Sequence, residues 1–320
     1  MQAAEGIPRL ESLLLRAAEG APHGLSRAAA DLVKAGGKRV RPLLVLLSAR
    51  AAAPGNRARG RVALALVAEL VHSATLLHDD VIDDGLTRRG LPAPRVAYGN
   101  GVSVLAGDWL LAASLELALR SGAPGAVEAL VRTLRLLVEG EAKQLALRGS
   151  TSFTAEDSLQ IGHLKTGSLF AFCGEAGALA ARAPRDLAAA LRDFGLRAGT
   201  AFQVTDDLLD FEADPAALGK AMLADVVEGK PSLPLAIALR RSPPLREEMA
   251  ALLAGLPEEE MRARTKAFAV RLARTGALEA ARRIAEGERD AALTALERVP
   301  ESPTRDLLAH VARFLLSRTS

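Results

Sequence analysis

Glu69-Leu-Val-His72-Ser-Ala-Thr-Leu-Leu-His78-Asp79-Asp80-Val-Ile-Asp83-Asp84-Gly-Leu-Thr-Arg88-Arg89 is the stretch from which this chain is read. Its apolar part, Val67 to Ile82, has helix-forming length and contains neither proline nor glycine. Residues four apart share a helix face, with Cβ atoms about 5–6 Å apart. Asp79 and Asp83 therefore point the same way, with Asp80 beside them. Like charges so close repel, and a cation relieves them. Oxygen-only ligands suit Mg²⁺, which keeps some waters and bridges to substrate phosphates. The plainer reading is a solvated acidic helix end. Against it stands a second copy, Asp206-Asp207-Leu-Leu-Asp210, again after an apolar approach. Two such clusters read as two walls of one site that holds a polyphosphate through metal.

Outside these clusters the composition favours helices. The 320 residues are 49% hydrophobic but only 3% aromatic, so the core is mainly Leu, Ala and Val. Ala and Leu are strong helix formers, and strand-like runs are missing. The expected class is all-α. Lys and Arg number 41 against 38 Asp and Glu, a net charge of +3. Without a long basic tract or interleaved aromatics, nucleic acid is not the expected partner. A locally basic pocket for a small anion fits better. The lone cysteine, Cys173, excludes an intramolecular disulfide and fits a reducing cytoplasm; its apolar context reads as core. The N-terminus lacks the pattern of a signal peptide, and Glu69 and Asp108 interrupt the longest apolar runs. A soluble protein is expected, with transient membrane contact for product release.

Ile7 to Ala18 carries an amphipathic pattern, and a helix from Ala28 ends at Gly36-Gly37. Lys38, Arg39 and Arg41 follow, and Pro42 is expected to open a helix from Leu43 to Ala53. Free glycine backbone and three cations suit a diphosphate, although a solvated basic turn has the same composition. Leu91 to Gly101 reads as loop, and Ser103 to Arg120 as a helix with Asp108 its one buried-looking charge. Ala126 to Leu147 bears Glu141 and Gln144, and Thr154 caps the helix that follows. Lys165 lies on an apolar face and needs a partner if buried. Leu187 to Asp210 reads as helix and Phe211 to Gly219 as loop. Beyond residue 234 the helices read as packing. No linker or repeat divides the chain, so one domain over 1–320 is expected.

These blocks, in this order, resemble the trans-polyprenyl diphosphate synthases. The likeness runs through Gly36-Gly37-Lys38-Arg39-Val40-Arg41-Pro42, Glu69 to Asp83, Arg88-Arg89-Gly90 and Gly107-Asp108-Trp109-Leu110. It continues through Gly140-Glu141 with Gln144, Lys165-Thr166, Phe202-Gln203 with Asp206 to Asp210, and Gly219-Lys220 through Asp225 to Pro234. The resemblance implies an isoprenoid synthase type of orthogonal helical bundle around a central cavity. It implies a homodimer and head-to-tail addition of isopentenyl diphosphate to an allylic diphosphate such as farnesyl or geranylgeranyl diphosphate. Three Mg²⁺ would be held by Asp79, Asp83 and Asp206, with Asp80, Asp207 and Asp210 in support. Arg88, Lys165, Lys220 and Lys230 would meet the allylic diphosphate. Lys38, Arg41, His72 and Arg89 would hold isopentenyl diphosphate without metal. For His72, two turns before Asp79 on one face, that register outweighs the usual role of a core histidine. Thr166 and Gln203 would turn oxygens toward the allylic cation.

In the family this chain resembles, aromatics at the positions of Thr75 and Ala74 close the tunnel, so the small residues here, with Val71 further along, imply by that resemblance an open tunnel and a long all-trans product. A geranylgeranyl-length product is the alternative. Two rival activities share part of the pattern. A terpene cyclase needs no basic Gly36–Pro42 turn and mixes Asn, Ser and Glu in its second metal motif. A non-catalytic partner subunit commonly loses acidic ligands that are intact here. The departures from the family pattern are Leu223 where glycine is usual, Ser158 and Gly162 for bulkier residues, and Trp109 for Phe or Tyr.

Overall fold

A computed structural model describes residues 2–55, 60–212 and 223–316. It is all-helical apart from a two-residue antiparallel hairpin, Thr87–Arg88 with Leu91–Pro92, the only sheet among the described residues. Two compact units emerge. The first comprises Met1–Thr133, Leu169–Gly195 and Ala295–Ala309; the second comprises Leu134–Ser168, Leu196–Thr294 and His310–Ser320.

The first unit is built around α4 (Arg61–Ile82), which packs along α6 (Asn100–Arg120) and α3 (Val40–Ala52). Leu64 through Val71 are all buried, so the apolar surface of α4 is not confined to one stripe. A helix apolar on every side belongs in the middle of a core. α4 and α6 have the length and apolarity of membrane spans. Most of α4 is taken up as core, whereas α6 leaves Leu105 and Leu119 exposed. α1 (Gln2–Glu19) and α2 (Leu25–Lys34) complete this side, and α5 (Pro94–Tyr98) follows the hairpin. α7 (Ala126–Leu147) begins in this unit. α9 (Ser168–Ala180) crosses α3 at backbone contact. A Cβ on Gly177 would sit 2.5 Å from the Val45 carbonyl and 2.7 Å from the Ala49 nitrogen.

Several local expectations need correction. Residues Leu91 to Gly101, read as loop, contain the second hairpin strand, α5 and the start of α6. α3 begins at Val40, so Pro42 lies inside its first turn, where a missing N–H costs no helical bond. Asp108 is exposed, with a side chain 57% accessible, and its carboxylate lies 3.3 Å from His78 Nε2.

In the second unit, α8 (Ala155–Gly162) starts on a capping box: Thr154 Oγ1 accepts from the Asp157 N–H, and Asp157 accepts from the Thr154 N–H. Asp157 is the reciprocal partner. α8 runs into a π turn, His163–Gly167, that carries Lys165 and Thr166. π turns cluster at functional positions. α10 (Arg185–Glu212) extends past Asp210 through Phe211 and Glu212, both read as loop; Ala213 to Met222 lie outside the described residues. α11 (Ala224–Val227) and the wholly buried front of α12 (Leu233–Arg241) come next. α13 (Pro243–Leu253), α14 (Glu258–Arg274), α15 (Ala277–Leu296) and α16 (Pro303–Leu316) follow. Phe153, Phe211, Met249, Phe268 and Leu272 fill the core with α12.

Leu223, where glycine was expected, adopts a left-handed conformation, φ 65° and ψ 34°, while its side chain is 1% exposed in that core. The conformation costs a non-glycine residue about 1–2 kcal/mol. Losing a buried leucine side chain costs about 2–5 kcal/mol. Leu223→Gly should therefore lower the unfolding free energy, by about 1–3 kcal/mol in urea titrations. A more stable glycine variant would show that backbone strain outweighs burial.

Candidate active site

Aspartates near the start of a helix are stabilised by its dipole; near the end they are opposed by it, by about 0.3–1 kcal/mol each. Asp79 and Asp80 lie in the last turn of α4 and Asp83 is its C-cap, with no basic residue in that turn. Asp206, Asp207 and Asp210 lie at the end of α10, again with no basic residue in the last turn. The first group faces the wrong pole of its helix, and a bound cation would remove that cost; in the second, Asp210 alone lies in the last described turn.

Within the first unit the three acids differ. Asp79 and Asp83 are half-buried, and the Asp83 N–H donates to the Asp79 carbonyl at 2.8 Å. Asp80 is 1% exposed. Its Oδ1 accepts from Arg88 Nε at 2.9 Å and also from Arg88 Nη2. Its Oδ2 is buried without a hydrogen-bond partner. Arg88 is thus anchored by the acidic motif, a contact the spacing alone did not reveal. Gly107 lets α6 approach: a Cβ there would lie 2.6 Å from Cδ2 of His78, the residue before Asp79.

A cationic group gathers beside this helix end. Arg41 stacks over the Phe170 ring at 5.1 Å, and Lys38 is exposed on the preceding turn. His72 is half-buried and its pKa is held well below the usual range, first by desolvation and then by Arg41, Arg89, Arg88 and Arg39. Arg89 is likewise lowered, by desolvation and then by Arg39, while Glu69 opposes the shift. Such a concentration of positive charge favours an anion beside it. The structure therefore brings Arg41, His72, Arg88 and Arg89 together. Cys173, fully buried nearby, has its thiol pushed up to about 12, chiefly by desolvation, and is inert core.

Within the second unit Lys165 has the partners its apolar surroundings demanded: it pairs with Glu141 and donates to Gln144 Oε1 at 3.2 Å. The Thr166 hydroxyl donates to Gln203 Oε1 at 2.6 Å. Gln203 Nε2 donates to Asp207 Oδ1 at 2.9 Å, and the Leu233 N–H to Asp207 Oδ2 at 3.1 Å. Asp210 accepts from the N–H groups of Ala224 and Asp225 at 3.2 and 3.0 Å. Two of the three acids thus also cap the starts of α12 and α11. Burial pushes Asp207 up to about 7; Asp206 and Asp210 add to the rise, and its two hydrogen bonds oppose it. Asp225, not assigned a role from sequence, is raised by burial and then by Asp210 and Asp207, with Lys230 opposing. Lys230 pairs with Glu228 at 2.6 Å. Lys220 lies outside the described residues.

Among the described residues no three His, Cys, Asp or Glu side chains converge as a ready-made metal cage. Mg²⁺ is commonly held by one or two carboxylates plus substrate phosphates, so this donor set fits it. In the first unit a cation would satisfy the orphaned Asp80 Oδ2; in the second a cation would relieve the crowded Asp206–Asp210 turn.

At the product-length positions Ala74 and Val71 have no accessible surface. Thr75 is half-buried, and its hydroxyl donates to the His72 carbonyl at 2.8 Å.

Comparison with known proteins fixes the class. The Polyprenyl synthetase family model matches residues 22–270, and the chain belongs to that family of prenyltransferases. It is 34% identical to octaprenyl diphosphate synthase of Escherichia coli (strain K12), across 90% of this chain and 88% of the relative. It is 35% identical to a short chain isoprenyl diphosphate synthase of Methanothermobacter thermautotrophicus, covering 93% and 91%. The fold matches a polyprenyl synthase from Caulobacter crescentus CB15, complexed with calcium and isoprenyl diphosphate. The TM-score is 0.91 at 35% identity, over 100% of this chain and 95% of that one.

The depressed pKa of His72 has a consequence for stability. Below about pH 6.5 the unfolded chain binds this proton more readily than the folded one. Stability contributed by the neutral imidazole is thus lost as pH falls below that value, and is unaffected well above it. His72→Gln should flatten the pH dependence of urea unfolding between about pH 5 and 7. Equal slopes in wild type and variant would contradict the cationic crowding.

Proposed function

We propose that this prenyltransferase adds isopentenyl diphosphate repeatedly to an allylic diphosphate, farnesyl or geranylgeranyl diphosphate for example, and makes a long-chain all-trans polyprenyl diphosphate. The observation that carries this reading is the reversed charge at the ends of α4 and α10, accompanied by a separate cationic group around His72. One substrate must lose its diphosphate and the other must keep it. An acid-lined and a base-lined site answer those two needs.

In the reaction the allylic C–O bond breaks and the electron pair leaves with the diphosphate. The allylic carbon then bonds to the terminal alkene carbon of isopentenyl diphosphate, which loses a proton. Three Mg²⁺, held by Asp79, Asp83 and Asp206 with Asp80, Asp207 and Asp210 in support, would neutralise the departing charge. Arg88, held by Asp80, with Lys165, Lys220 and Lys230, grips the same diphosphate. Lys38, Arg41, His72 and Arg89 hold isopentenyl diphosphate by charge and hydrogen bonding alone. Thr166 spends its proton on Gln203, which leaves the hydroxyl lone pairs free to face the developing cation. The released diphosphate accepts the final proton, so no protein base is required. Thr75, the accessible member of the length-determining pair, lines the growing chain, and Ala74 and Val71, which are fully buried, leave room by their small size.

We further assign one catalytic domain, a cytoplasmic location with transient membrane contact during release, and a homodimer. Support for the dimer comes from two exposed apolar rows at seven-residue spacing: Leu105 and Leu119 fourteen apart on α6, and Val131, Val138 and Leu145 on α7.

The test is chain extension by the purified protein with labelled isopentenyl diphosphate, farnesyl diphosphate and Mg²⁺, with products sized. Wild type should extend beyond geranylgeranyl length. Asp79→Asn and Asp206→Asn should each lower kcat by about 10²–10³-fold. The double variant should lose much less than the product of the two, as groups acting on one diphosphate do. Consumption of the allylic substrate without extension would favour a cyclase, and an inert single chain a partner subunit.

A further inference from the structure

Between the two cations assigned to isopentenyl diphosphate, Lys38 and Arg41, lies one that the mechanism does not use. Arg39 is 6% exposed and takes a left-handed conformation, φ 49°, as the N-cap of α3. Its Nη1 donates to Glu69 Oε1 at 2.6 Å, in the middle of α4. Its Nη2 donates to the Val33 carbonyl at 3.0 Å, near the end of α2. Its Nε lies 3.6 Å from Glu11 of α1. The two ends of one planar fork thus hydrogen-bond the turn to two helices, and Nε, with no hydrogen bond, faces the Glu11 carboxylate on a third. Glu69 is itself 4% exposed on a helix that is otherwise apolar at that level.

Burying an ion pair brings little net stability, because desolvation offsets the attraction. A fixed geometry is what such a pair supplies best. Here the fixed object is the Gly36–Arg41 turn. Gly37 is packed against the same guanidinium: a Cβ there would lie 3.4 Å from Arg39 Nη1 and 3.1 Å from Arg89 Nη2. The turn, Arg89 and the helix carrying His72 are therefore registered against one another through Arg39 and Glu69.

We propose that Arg39 and Glu69 are positioning residues for isopentenyl diphosphate: the buried pair sets the turn so that Lys38, Arg41 and Arg89 converge on one diphosphate. The proposal rests on the assignment of that substrate to this cationic group. It also separates two roles of Glu69. As a mere counter-ion, its removal would tighten anion binding; as an anchor, its removal loosens it.

Arg39→Lys keeps the charge but loses the fork, and Glu69→Gln removes the anchor. Each should raise KM for isopentenyl diphosphate by about tenfold or more and leave KM for the allylic diphosphate within about twofold. Should Glu69→Gln fail to fold with a charge left unpaired, Arg39→Met combined with Glu69→Leu removes both charges, and the same KM split is expected. A parallel rise in both KM values, or unchanged KM in Arg39→Lys, would overturn the proposal. Metal-free titration with inorganic pyrophosphate keeps the test independent of turnover. If wild type binds pyrophosphate but does not use isopentenyl diphosphate, the substrate assignment fails. Weaker binding in both variants would still support an anchored anion seat, whereas equal or tighter binding in Glu69→Gln would overturn it.

Discussion

An α-helix ends in unpaired carbonyls, and six aspartates at the ends of two long helices add formal negative charge to that pole. Neither last turn contains a lysine or arginine. The protein offsets the repulsion in part by giving some carboxylates hydrogen-bond donors. Arg88 takes one oxygen of Asp80; backbone N–H groups of Leu233, Ala224 and Asp225 take oxygens of Asp207 and Asp210. Those bonds oppose the rise of Asp207 to about 7, which burial drives and to which Asp206 and Asp210 add. In the proposed function, divalent cations and a polyphosphate would offset that cost, and the acids would serve the reaction at the expense of the apo fold.

The cationic group obeys the opposite logic. Desolvation, and after it the mutual crowding of His72, Arg41, Arg88, Arg89 and Arg39, depresses the histidine and Arg89, and Glu69 is the anion that opposes the Arg89 shift. In the proposed function two substrates with the same head group would be told apart by environment, the one that ionises held with metal by the acids and the other by the cationic group without it.

Much of this was legible in the sequence because it depends on local spacing. The apolar run from Val67 to Ile82, the repeated aspartates and the Gly36–Pro42 turn all appear where periodicity and composition placed them. Lys165 needed a partner and has Glu141 and Gln144. What escaped were side-chain pairings that helix periodicity does not set: Arg39 with Glu69 thirty residues on, Arg88 folded back across a turn to Asp80, and the Asp225 N–H on Asp210. Asp108 misled because its neighbours are apolar; the face it occupies is open. The π turn at Lys165 escaped for another reason, since one added residue per turn leaves no compositional trace. Leu223 shows the limit of a family pattern: a left-handed position, usually glycine, here filled by a side chain the core holds in place.

Calorimetric unfolding with Mg²⁺ alone, inorganic pyrophosphate alone, and both together bears most directly on the shared role of the two acidic groups. The account predicts a large upward shift in Tm only when both ligands are present, and its near-complete loss in either Asp79→Asn or Asp206→Asn. A shift produced by Mg²⁺ alone, or one that survives intact in either variant, would contradict it.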